Sequence, residues 1–415
     1  MAGAASLSSA PTSLGALPFY HTADALHEAL QALATRRESS LVFEWLADED
    51  RPGNASTPVA ANRTGQGRIA VVHTGDGRRA ARRPRVLVLG GEHAREMITS
   101  EVVLRLAHII AAPAASAELP RLDFALIPLV NVGGRALFEI GDYCRRTNRA
   151  GVDLNRNWPT AGWGAAEPSH LATDTWPGPA PFSEWETRAV ARFARRWRPD
   201  VFLSVHSGQL ALIAPMAGSF DAPPHHASHM RALAAVNRAL RPPLRPERIG
   251  IAARRVGYLS AGTALDWMYS ELNVSGAFAF EIGTWPAPLP RVNRPPRPTS
   301  AGGTGQLTPG SAPWWGAAAV EQSLRELMVN PTDPTYCLTH FSPGTAAEYE
   351  RAVGRWSDAC LVLAMQRANP VGVGNASEAS SATSASEAAR TRACAPLARG
   401  RAAAPAATSV ERTGR

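Results

Sequence analysis

The 415-residue chain contains no lysine: all 43 of its basic residues are arginine, set against 35 Asp and Glu. Without a side-chain primary amine, Schiff-base chemistry and lysine-bearing phosphate loops are excluded. The formal net charge of +8 invites a nucleic-acid reading. The arginines, however, are scattered among the acids instead of forming a stripe, so the charge reads as a compositional habit that also enriches alanine. Cysteine is scarce. Cys144, Cys337, Cys360 and Cys394 are too few for a disulfide scaffold and lack zinc-ribbon spacing; Cys337 with Cys360 is the one pairing the sequence suggests. No apolar run reaches the ~18 residues that a bilayer crossing takes.

Residues 1–16 read as a flexible small-residue leader without the charged start and apolar core of a secretory signal. Against this stand four Asn-x-Ser/Thr sequons, at Asn54, Asn62, Asn273 and Asn375, which suit the secretory path. Secretory and intracellular readings therefore stand side by side.

What is present is 45% hydrophobic residues, enough for a sizeable core. "HTADALHEALQALATRRE" has helical spacing at Leu26, Leu30 and Leu33, with Thr22 as its cap. "GRIAVVHT", "PRVLVLGG", "DFALIPLV", "VFLSVH", "LALIAP" and "AFAFEI" read as strands. "ITSEVVLRLAHIIA", "SEWETRAVARFARRW", "HHASHMRALAAVNRAL" and Ala346–Gln366 read as helices. This alternation predicts an α/β fold: one domain, residues 17–366, whose mixed, mostly parallel twisted sheet carries helices on both faces. Residues 284–333 are Pro/Gly-rich and read as an insertion or long loop. Residues 367–415 are Ala/Ser/Thr/Arg low complexity, with too few large apolar residues to order themselves.

In "GGEHAREMIT" a strand end delivers His93 and, three residues on, Glu96. Alone, the pair reads better as a solvated histidine and a first-turn acid complementing a helix dipole. "FLSVHSG" changes the balance, because His206 also ends an apolar strand. Two strand-end histidines and one carboxylate make the His/Glu/His set of a hydrolytic zinc, which leaves a position for water. Glu281 closes a third strand, "AFAFEIG". An ionised carboxylate after such a run is costly unless paired or facing a cleft, so a general base is one reading and a surface acid the other. "YCRRTNRAGVDLNRNWP" crowds arginines and asparagines into one loop, suited either to solvent or to gripping a carboxylate.

Taken together, these motifs resemble the zinc metallocarboxypeptidase family of the carboxypeptidase A/B (funnelin) type, and the wording "EMITSE" and "VHSG" resembles its plant and algal branch. The resemblance implies the zinc exopeptidase fold, with "HAREMIT" supplying His93 and Glu96 as zinc ligands and Arg95 lining the cleft. "CRRT" implies a carbonyl-polarising Arg145. "GVDLNRNW" implies Asn155 and Arg156 on the substrate's terminal carboxylate and Asp153 behind His93. "VHSG" implies His206 as the third ligand, "GYLSAGTALDWMY" the mobile Tyr258, and "FAFE" the base Glu281. One Zn2+ per chain is implied, with peptide or protein C-termini as substrates, neither nucleic acid nor membrane span, and a monomer. Leu265, before "DW", implies apolar C-terminal residues. Gly208 departs from the family's frequent tyrosine after His-Ser. A zinc amidohydrolase for N-acyl amino acids and a catalytically silent peptide binder are the alternatives.

Overall fold

Along the chain the elements run α1 (Ala23–Ala34), β1 (Leu41–Ala47), β2 (Arg68–Thr74), β3 (Arg85–Leu89), α2 (Met97–Ala111), β4 (Asp123–Ile127), α3 (Val132–Glu139), α4 (Trp185–Trp197), β5 (Val201–His206), β6 (Leu210–Ala214), α5 (His226–Ala239), β7 (Ile249–Ile251), α6 (Ala252–Val256), α7 (Ala264–Ser270), β8 (Gly276–Ile282), α8 (Tyr336–His340) and α9 (Ala346–Ala368). This is a computed structural model, and it describes residues 17–37, 39–47, 68–74, 83–112, 122–164, 174–283 and 336–368. The leader at 1–16, the segment at 284–333, the tail after 368 and the sequons at Asn54, Asn62 and Asn375 lie outside them. Asn273 lies inside them, exposed in the turn between α7 and β8.

The strands form one mixed sheet in the order β1-β2-β4-β3-β5-β8-β6-β7. Its centre is parallel, β4 with β3, β3 with β5 and β5 with β8, while β1, β2 and β6 join antiparallel. Parallel central strands send their carboxyl ends to one edge, where open α/β sheets place their sites. Every residue of β5 is buried, so Ser204 and His206 within it need polar partners. The sequence pattern did not mark β1 or β7. In "LVFEWLA" only Leu41 and Leu46 are fully buried, so it lacks the regular alternation of a half-buried strand, and "IGI" is only three residues long.

Thr22 caps α1 as expected, accepting from the Ala25 N–H. Leu26, Leu30 and Leu33 are buried beneath it, and α2 packs against both α1 and α9. A carboxylate fastens this layer. Glu101 of α2 is buried and accepts from His21 N at 2.8 Å and from Tyr349 Oη at 2.8 Å, with His21 Nδ1 also 2.8 Å away. Between α8 and α9, Ser342 Oγ accepts from Ile98 N at 3.3 Å, and the Phe341 carbonyl accepts from Ser207 Oγ at 2.7 Å.

Candidate metal centre and active site

The double glycine that ends β3 answers a steric demand. A Cβ on Gly90 would lie 2.9 Å from the Thr99 carbonyl oxygen, and Gly91 sits at φ +63°; only glycine meets both conditions freely. The turn they allow drives Glu92 and His93 inward, to 1% and 3% exposure. Glu96 stands at the N-terminus of α2 without making a capping bond. Its carboxylate points into the cleft, Oε1 2.7 Å from His93 Nδ1 and Oε2 3.3 Å from His206 Nδ1. The two imidazoles approach through Nδ1 at 3.3 Å.

Ligand atoms of His93, Glu96 and His206 all lie within 4.8 Å of one another. Two imidazole nitrogens and one carboxylate turned to a single point fit zinc, whose hydrolytic sites use this donor set. The distal nitrogens are also engaged. His93 Nε2 lies 3.1 Å from Asp153 Oδ1, and His206 Nε2 lies 2.8 Å from Ser204 Oγ and 3.2 Å from Glu92 Oε2. Orienting contacts of this kind fix the tautomer of a ligating imidazole.

Asp153 opens the short turn Leu154–Arg156 by accepting from Asn155 N at 2.9 Å, and its other oxygen accepts from Arg146 Nε at 2.9 Å. Burial opposes its charge, yet Arg146 and then His93 hold the carboxyl well below the usual range. Glu96 behaves alike: burial raises it, and His93 and His206 outweigh that and lower it. Glu92 and Glu96 push His206 up to about 10 against its burial. Glu281 moves the other way: burial first, then the Glu96 charge, raises it to about 7. It stands beside His206 in register across β5 and β8. Its Oε2 is buried without a hydrogen-bond partner among the described residues.

The residues expected to grip a carboxylate gather next to this centre. Asn155 Oδ1 accepts from Ala264 N at 2.9 Å, which turns Nδ2 to within 3.3 Å of His206 Nε2. Arg156 donates to the Asn155 carbonyl at 2.7 Å and reaches Tyr258 Oη at 3.4 Å. Gly262 presses on the same backbone, since a Cβ there would lie 2.0 Å from the Arg156 carbonyl oxygen, at φ +80°. Leu265 is buried in the first turn of α7, which Thr263 caps. Arg95 donates to Asp174 at 2.8 Å and stacks over Phe341 at 4.3 Å. That ring occupies the space Gly208 leaves open: a Cβ on Gly208 would lie 2.6 Å from it.

Two expectations are corrected. The guanidinium of Arg145 turns to the Asn148 and Arg149 carbonyls at 2.8 and 3.2 Å and to Asp142, away from the histidines. Its neighbour Arg146 is the arginine at the centre, bound to Asp153 and 3.9 Å from Glu96. Cys337 bridges to Cys144, and Cys360 is a buried free thiol. Cys360 faces the core from α9, whereas Cys337 sits on α8, ahead of Phe341.

Sequence reasoning assigned no role to Glu92, Ser204, Asp174 or Phe341. Of these only Glu92 carried a signal, as an acid between two buried glycines and a buried histidine.

Residues 50–290 match the model of the zinc carboxypeptidase family, and the chain belongs to that family. Human carboxypeptidase A6 is 32% identical over 50% of this chain and 50% of its own. The inactive metallocarboxypeptidase ECM14 of Arthroderma gypseum is 26% identical over 57% of this chain and 48% of its own. The chain spans about half the length of the curated relatives it matches. Among solved structures, thrombin-activatable fibrinolysis inhibitor superposes with a TM-score of 0.60 at 19% identity, over 85% of this chain and 75% of its own. At that identity the likeness speaks to the fold.

Proposed function

We propose that the chain is a zinc-dependent carboxypeptidase that hydrolyses the last peptide bond of peptides or proteins. The observation that carries this reading is the convergence of His93 Nδ1, Glu96 and His206 Nδ1 within 4.8 Å, beside the unpartnered carboxylate of Glu281. These three side chains would hold zinc, which when bound would supply the Lewis acidity that brings a water's pKa to about 7. Glu281 would serve as the group that accepts a proton from the attacking water and returns it to the departing amine. Arg146, in place of Arg145, offers its guanidinium to the charge that develops on the carbonyl oxygen. Asn155, Arg156 and Tyr258 hold the free carboxylate of the substrate, which restricts cleavage to chain ends. Leu265 favours an apolar C-terminal side chain, and Arg95, steadied by Asp174 and Phe341, lines the cleft further along the peptide.

A silent binder would lack a ligand or the base, whereas His93, Glu96, His206 and Glu281 are all present. The test incubates the zinc-loaded chain with paired peptides whose C-termini are free or amidated and follows release of the terminal residue by mass spectrometry. Release from the free form alone is expected. Equal cleavage of both forms, or release only of acyl groups from N-acyl amino acids, would replace the proposal with an endopeptidase or an amidohydrolase.

A further inference from the structure

Glu92 lies one residue before His93, yet its carboxylate reaches the other histidine. It is 1% exposed. Oε2 lies 2.5 Å from Ser204 Oγ and 3.2 Å from His206 Nε2, while Oε1 is buried without a partner among the described residues. Ser204 and His206 are two apart on β5, so their side chains share a face, and Ser204 Oγ stands 2.8 Å from His206 Nε2.

The proton inventory of this trio has one economical solution. A carboxylate only accepts, and a serine hydroxyl has a single proton to give. At 2.5 Å that proton belongs between Ser204 and Glu92, which leaves the serine oxygen with lone pairs facing Nε2. Two acceptors then surround Nε2, so it carries a hydrogen. Asn155 Nδ2 is itself a donor and favours a bare Nε2, but at 3.3 Å it is the longest of the three contacts, against acceptors at 2.8 and 3.2 Å. With the hydrogen on Nε2, a neutral His206 would carry its lone pair on Nδ1, the atom turned toward Glu96 and His93.

We propose that Glu92, acting with Ser204, is the positioning residue of His206: it holds the Nε2–H tautomer and aims Nδ1 at the metal, as Asp153 does for His93. Both imidazoles are then backed by carboxylates from different parts of the chain, Glu92 from the end of β3 and Asp153 from the loop before the Leu154–Arg156 turn. This rests on the zinc reading of the site. It adds a residue whose loss weakens the metal without removing a ligand.

The test uses the full chain, with zinc affinity measured by competition with a chromophoric chelator for wild type, Glu92→Gln, Glu92→Leu and Ser204→Ala. Loss of an orienting partner costs roughly 10–100-fold in metal affinity. The expected order of zinc affinity is wild type, then Ser204→Ala, then Glu92→Gln, then Glu92→Leu, with the metal-free thermal midpoints of the soluble variants close to wild type. Independently, 15N-labelled histidine in the zinc-loaded wild type should show a slowly exchanging Nε2–H for His206. Should Glu92→Gln not fold, this signal alone carries the test. Zinc bound as tightly by the Glu92 variants as by wild type, or an Nδ1–H tautomer at His206, overturns the proposal while leaving the carboxypeptidase reading intact. Absence of stoichiometric zinc in the wild type overturns both.

Discussion

His206 and Glu281 stand side by side across the parallel pair β5 and β8, so one ladder of backbone hydrogen bonds sets the separation between the proposed imidazole ligand and the proposed base. Replacing Glu281 by Gln should leave zinc content unchanged and lower kcat by roughly 10²- to 10⁴-fold. The base works deprotonated, so kcat/KM should fall as pH falls. Burial and Glu96 raise its pKa to about 7 and a bound cation pulls it back, which puts the midpoint of that limb at or below about 7. A pH profile with the same acid limb in Glu281→Gln would show that another group titrates.

Arg146 and Arg145 are adjacent but should behave oppositely. Arg146→Ala removes the guanidinium from Asp153, stranding a buried acid, and should reduce kcat/KM by roughly 10²- to 10³-fold together with a lower thermal midpoint. Arg145→Ala frees only exposed and backbone partners and should stay within about 1 kcal/mol of wild type with near-normal turnover. Equal losses in side-by-side kinetics would refute this assignment.

Gly208 at φ +114° lies under the Phe341 ring. Alanine there meets both an unfavourable backbone and a collision, so Gly208→Ala should cost more than about 1 kcal/mol. Adding Phe341→Ala should relieve only the collision. Chemical denaturation of the single and double variants separates the two contributions.

The Cys144–Cys337 bridge closes a separation of 193 residues. Its removal in Cys337→Ser should cost about 2–5 kcal/mol. Reductant should lower the thermal midpoint of wild type and leave that of the variant unchanged.

Acid should weaken the fold at a site remote from the centre. Burial lowers His27 from 6.5 to about 4, and its ring packs edge-on against Trp45 at 5.0 Å. Between those values the unfolded chain binds a proton that the folded chain refuses, so stability is full above pH 6.5 and drains as pH falls toward about 4. The loss reaches up to ~3 kcal/mol, and His27→Phe should flatten the slope of denaturant-derived stability against pH. His108, lowered to about 4 by burial and then Arg36, is less enclosed and contributes less.

The features legible in the sequence were those written by periodicity and by strand ends. Apolar runs located β2 to β6 and β8, and a histidine or glutamate at the end of such a run reads directly as a group on the sheet's working edge. What was hidden depended on rotation. Nothing local says which of Arg145 and Arg146 points inward, since a loop residue's direction follows from what its backbone binds, here Ala94 N on the Arg146 carbonyl. Cys360 looked available to Cys337 because helix phase relative to the rest of the fold is not local information. Glu92 was given no role, because its partner was set by sheet pairing between β3 and β5.

Residues 341 and 342 fasten the backbone beside both halves of the centre, Ser207 next to His206 and Ile98 just past Glu96, and Tyr349 completes the clasp on Glu101. During synthesis, therefore, all three candidate metal ligands leave the ribosome before the segment that braces their backbone. Until α9 arrives, Glu101 lacks the Tyr349 hydroxyl it accepts from in the folded chain. Metal uptake by nascent chains ending before Tyr336 should be weak and reversible, and a firm centre is a property of the chain released at least through α9.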